Sequence, residues 1–155
     1  MNPNCFLQHD YQQQLDEYRE KYQFDFAGIA LPDNNDVDGV PVIKWRYVSG
    51  NINDRYKRII LRNGKGLAGN VMKTGKEFIV PDVSESLFSN QLFNYPILVS
   101  EALTAVVVLP LWFENKVCGV LLYGQREGNH LPHYGEIDKL RTGIGAYSCK
   151  DRGVL

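Results

Sequence analysis

The sequence predicts an α+β fold, a single sheet with helices on both faces. Three observations carry the prediction: apolar residues at helical spacing near the N-terminus, two long apolar runs meeting at a two-residue turn, and a glycine-rich bend ahead of a short helix. At 155 residues, 44% apolar and 12% aromatic, the chain is sized for one domain spanning 1–155 with a substantial core.

Tyr11, Leu15, Tyr18 and Tyr22 recur at steps of four, three and four among glutamines and charged residues, which predicts an amphipathic helix over about 8–23. FDFAGIAL (24–31) reads as a buried strand, PDNNDVDGVP (32–41) as a polar loop, and VIKWRYVSG (42–50) as a second strand, the two pairing as a long-looped hairpin. RYKRIILR (55–62) reads as a third strand. RNGKG then bends into a short helix over Leu67–Thr74 with Gly75 as its cap, and EFIV (77–80) is a fourth strand. Pro96 suits the first turn of a second short helix over 96–101. LTAVVVLPLWF and KVCGVLLYGQ flank Glu114-Asn115, the clearest hairpin signal, and PHYGEIDKLRTGIGAYSC closes the chain as a helix over about 133–148.

Composition excludes several function classes. With 17 basic against 18 acidic side chains there is no electrostatic footprint for nucleic acid. The longest apolar run, 103–113, falls short of the roughly 20 residues of a membrane-spanning helix and contains Pro110. MNPNCFLQHD has no basic, apolar leader pattern, so no signal peptide is expected. Cys5, Cys118 and Cys149 form an odd set without CxxC spacing, which supports neither a disulfide framework nor a zinc site and points to a reducing cytoplasm.

Few side-chain constellations suggest chemistry. NNDVDG (34–39) places Asn34, Asp36, Asp38 and Gly39 as in half a calcium loop, but the twelfth position is Trp45 where a bidentate glutamate is needed, so a solvated turn is the default. His130 and His133 in HLPH lack a third ligand at useful spacing and read as a loop. No nucleophile motif is present.

GKGLAGN is different in kind. A helix starting just after Gly66 leaves the amides of Leu67, Ala68 and Gly69 without intrahelical acceptors, and its positive end favours an anion. A second helix starting at Pro96 frees the amides of Ile97 and Leu98 in the same way. Two such ends facing one another would form a cage of neutral donors. The plain alternative is that GLAG packs a helix on the sheet and water meets those amides.

The succession GKGLAGNVMKTGKEFIVPDV then ALTAVVVLPLWFENKVCGVLLYGQ resembles the GAF domain family over about residues 8–148. The resemblance implies a six-stranded antiparallel sheet and a small-ligand pocket under short helices. It is not the cyclic-nucleotide subgroup, since NQLFN at 90–94 lacks that group's lysine, and no cysteine is suitably placed to attach a bilin. In the free methionine sulfoxide reductases, the enzymatic rival, a cysteine stands at the position of Ala68 and another near Ile97; both are absent, so a non-enzyme is expected. At the level of individual residues the chain is similar to the nitrate-sensing members. That implies nitrate held by the amides of Leu67, Ala68 and Ile97 and by the Trp45 indole, with Tyr95 and Pro96 among the walls, and no metal or cofactor. It also implies a sensor histidine kinase of a two-component system controlling nitrate respiration as partner, in the cytoplasm. The amphipathic terminal helices are candidate faces for a homodimer or for that partner, the more common outcome being that the sheet uses them fully. The remaining alternative is a GAF module for a small organic ligand.

Overall fold

The computed structural model describes residues 11–37 and 40–141. In chain order these form α1 (Tyr11–Lys21), β1 (Phe26–Val37), β2 (Val40–Ser49), β3 (Ile60–Leu61), α2 (Gly66–Thr74), β4 (Phe78–Val80), α3 (Pro96–Ser100), β5 (Ala105–Phe113), β6 (Lys116–Gln125) and α4 (Tyr134–Arg141). The six strands make one antiparallel sheet in the order β3-β2-β1-β6-β5-β4. The ends of the two terminal-helix expectations, 8–10 and 142–148, lie outside the described residues.

Each sheet face carries its own core, as the period of two in the strands requires. On one face Tyr11 and Leu15 of α1 and Ile137 and Leu140 of α4 pack on Ala27, Ile29, Val107, Leu109, Leu121 and Tyr123. On the other, Leu67, Ala68 and Val71 of α2 and Ile97 and Leu98 of α3 pack on Phe26, Ala30, Trp45, Val106, Val108 and Leu122. The apolar stripes of the terminal helices are therefore spent on the sheet.

Two strand expectations are corrected. The polar loop over 32–41 is mostly strand: Pro32 pairs with Ile43, Asp33 with Val42, and pairing runs on to Val37 opposite Val40. Strand pairing continues through polar residues because an antiparallel ladder needs backbone groups, not apolar side chains. RYKRIILR is not one strand either. Arg55–Arg58 forms a 3-10 turn and only Ile60–Leu61 joins the sheet, at its edge. The short helices, the Gly75 cap (φ 70°, amide donating to Val71 O at 2.8 Å) and the 114–115 hairpin are as expected.

Cys118, half-buried on β6, is disulfide-bonded, with its partner outside the described residues. This corrects the inference drawn from the odd cysteine count. An odd number leaves one thiol over without forbidding one bridge, and bridging depends on spatial approach rather than on sequence spacing. Among the described residues no helix is long and apolar enough to cross a membrane.

Candidate functional site

The loop before α2 is drawn tight by backbone bonds. Lys65 N donates to Arg62 O at 2.9 Å and Gly64 N to Gly69 O at 2.7 Å. Gly66 sits at φ 68°, a left-handed conformation that a side chain disfavours, and turns the chain into the helix. At Gly69 the restriction is one of space: a Cβ there would lie 2.4 Å from Arg62 O. The glycines thus allow the strand end to press against the first helical turn. Gly66, Leu67 and Ala68 open that turn, so the acceptors their amides would need, four residues back, lie outside the helix. Asn70 Nδ2 donates to Gly66 O at 2.7 Å and fixes the first turn from the side.

α3 starts at Pro96 with Tyr95 as its N-terminal flank. The amide of Leu98 donates to Tyr95 O at 3.0 Å, which removes it from the donors expected to be free and leaves Ile97 as the one first-turn amide of the expected pair. Between the starts of α2 and α3 lies a cavity of about 520 Å³, walled by Gly66, Asn70, Tyr95 and Pro96 with Lys65 and Asn94 at its sides. Tyr95 and Pro96 are half-buried there.

The remaining expected site residues lie deeper on the same sheet face. Leu67, Ala68, Ile97 and Trp45 are all buried and belong to one core. The Trp45 indole packs over Gly28, where a Cβ would come within 3.1 Å of the ring. Its Nε1 is buried and has no hydrogen-bond partner. Such an orphaned donor is uncommon, because an unpaired buried N–H carries a desolvation cost of about 1–3 kcal/mol. Leu67, Ala68, Ile97 and Trp45 thus share one sheet face with the two helix starts, but none of the four lines the 520 Å³ cavity, and Trp45 borders a separate cavity of about 220 Å³ with Lys44 and Tyr56. Sequence reasoning missed Lys65, an exposed cation beside the cavity, and Asn70, whose four-residue spacing from Gly66 was the available signal.

A second cavity, about 880 Å³, adjoins the first through Asn70 and Tyr95 and is walled by Phe78, Phe88, Val80 and Leu87. Phe78, Phe88 and Tyr95 stand edge to face in series along it. His130 and His133 are exposed, and the His133 carbonyl accepts from Glu136 and Ile137 at the start of α4, a loop-to-helix role. Among the described residues no three His, Cys, Asp or Glu side chains gather to hold a metal.

Comparison with family models and with curated proteins found no match. Solved structures do match. NreA from Staphylococcus aureus, in a form mutated in its nitrate-binding site, is 51% identical, with a TM-score of 0.74 over 79% of this chain and 88% of that one. At 18% identity, where the fold alone is shared, stand the GAF domain of a phosphoenolpyruvate-protein phosphotransferase from Coxiella burnetii (TM-score 0.68, 99% of this chain and 96% of that one) and a free methionine-R-sulfoxide reductase from Neisseria meningitidis (TM-score 0.63, 98% and 86%). The six-stranded sheet with helices on both faces is the architecture these GAF structures share. By the half-identity to NreA across most of both chains, and by the fold, this chain belongs to the NreA family of GAF-domain proteins.

Proposed function

We propose that the protein is a non-catalytic nitrate receptor. The amides of Leu67, Ala68 and Ile97 and the Trp45 indole donate to the anion, with Leu67, Tyr95, Pro96 and Ile97 as walls and neither metal nor cofactor involved. The observation that carries this reading is the buried, partnerless Trp45 Nε1 on the face where the two helices start. Nitrate is planar, singly charged and diffuse in charge, so a few neutral donors and apolar walls suit it, whereas sulfate or phosphate would need more compensating charge. In its cellular setting the receptor modulates a sensor histidine kinase of a two-component system controlling nitrate respiration, in the cytoplasm. Occupancy acts through unequal nitrate affinity of the kinase-bound and free states.

Nitrate should raise the melting temperature by mass action, about 2.7 kcal/mol at a hundredfold excess over the dissociation constant, while sulfate at equal ionic strength should not. Calorimetry on Trp45→Phe, which keeps a ring and removes the N–H, should give roughly tenfold weaker binding with the fold intact. Equal stabilisation by all sodium salts would end the proposal. A small organic ligand is the second reading, favoured by the adjoining 880 Å³ cavity, which exceeds what nitrate needs. Screening small metabolites in the same melting assay separates the two.

A further inference from the structure

The outer side of α3 and of the turn before it presents apolar side chains to solvent. Phe93 is 81% exposed, Val99 55% and Ile52 57%. Phe93, Pro96 and Val99 form one side of a shallow groove of about 280 Å³, and Ile59 and Arg55 form the other. Ile52 borders the same end of α3, its amide donating to Glu101 Oε1 at 2.9 Å next to Ser100. Apolar groups in water along a short helix mark an interaction surface rather than a core.

The rim is basic. Arg55, Lys57 and Arg58 are exposed on one 3-10 turn, with Asp54 the one acid beside them. The ion pairs seen among the described residues lie elsewhere, Lys44 with Asp33 and Arg126 with Glu101. Phe93 and Pro96 also wall the 520 Å³ cavity between the helix starts, so one thin wall separates groove from cavity.

We propose that this groove docks an acidic amphipathic helix of a protein partner, whose apolar stripe seats against Phe93, Pro96 and Val99 while its carboxylates face Arg55 and Arg58, three residues apart on one side of the 3-10 turn. A helix is the occupant because the groove runs between α3 and the 3-10 turn with apolar groups on one side and arginines on the other, which an apolar stripe at i, i+3, i+4 and i+7 flanked by acids complements. A second copy is disfavoured by charge, since a two-fold contact would set one basic rim against another. The shared wall makes docking sensitive to what fills the cavity. That last point rests on the nitrate reading; the groove and its rim do not.

The test uses the full chain, labelled for amide spectra, and two synthetic helical peptides with the same apolar stripe, one glutamate-rich and one lysine-rich. The glutamate peptide should shift the amides of Arg55–Arg58 and of Phe93–Val99, bind at least about tenfold tighter than the lysine peptide, and weaken with salt. Val99→Asp should abolish its binding, and Arg55→Glu with Arg58→Glu should invert the peptide preference. The urea unfolding midpoint of the Val99→Asp protein and its amide spectrum away from the groove should match wild type, which certifies the fold without reference to nitrate and keeps the two readings apart. Adding nitrate should change the affinity for the glutamate peptide severalfold. Equal binding of both peptides, shifts confined to another face, dimerisation lost in Val99→Asp, or tighter binding to anionic phosphatidylglycerol vesicles than to the peptide would overturn the proposal.

Discussion

At the residue scale the proposed site relies, apart from the Trp45 indole, on main-chain donors, which alanine scanning does not remove. Proline does. Ala68→Pro deletes a first-turn amide that makes no intrahelical bond, although Leu67 before it is pushed away from helical angles and Ala68 itself is fully buried. The ligand-free melting curve must first match wild type. Given that, loss of one charge-assisted bond of about 1.5–3 kcal/mol should weaken nitrate roughly ten- to a hundredfold in calorimetry. Unchanged affinity in a folded Ala68→Pro protein would remove this helix end from the site. Residues of this kind were legible because glycine spacing reports backbone geometry: GKGLAGN and NYP mark helix starts whatever the side chains do. Trp45 was not legible from its neighbours, since a tryptophan in an apolar strand usually reads as core. Family resemblance singled it out, and the unpartnered indole N–H is the independent physical reason to keep it.

At the scale of elements, the two hairpins show what sequence pattern conveys and what it conceals. Glu114 and Asn115 both adopt positive φ, 47° and 64°, so the β5–β6 connection is a two-residue turn with Phe113 facing Lys116 across it. The preference there is for Asn-Gly. Glu114→Asn combined with Asn115→Gly should relieve left-handed strain of roughly 1 kcal/mol, measured as a raised unfolding midpoint in urea without a change in slope. A lowered midpoint would mean that Glu114 and Asn115 make compensating contacts. The pattern predicts the β1–β2 hairpin but makes 32–41 its loop because that stretch is polar, whereas pairing extends to Val37 and Val40. For 55–62 the difference runs the other way: the whole of RYKRIILR reads as a strand, but only Ile60–Leu61 pairs, at the edge, and Arg55–Arg58 closes into a 3-10 turn.

At the scale of the whole molecule, one buried ion pair ties the roof of the candidate site to the ends of the central strands. Glu101, fully buried, follows α3; its Oε1 accepts from Arg126 at 2.8 Å and from Ile52 N at 2.9 Å. Arg126 follows β6 and also donates to Glu101 O, to Gly50 O and to Asp25 O, so it joins α3, the end of β2 and the start of β1. Burial raises the Glu101 carboxyl above its ordinary 4.5, while the Ile52 amide and Arg126 pull it partly back. A carboxyl raised on folding binds its proton more tightly in the native state. Its stabilising contribution is therefore complete below about 4.5 and is lost as pH rises through the folded value. Arg126→Met removes the restoring charge, lifts that carboxyl further and moves the loss to higher pH. At neutral pH the variant should lose about 3–5 kcal/mol, the cost of leaving one buried partner unpaired, and part of that loss should disappear as pH falls toward 5. Urea unfolding at both pH values reads this directly. Glu101→Gln in the Arg126→Met background should remove most of the pH dependence, because the titrating group is gone. A deficit equal at both pH values, or unchanged by Glu101→Gln, would mean that Arg126 acts through its three backbone carbonyl bonds rather than through the buried carboxylate.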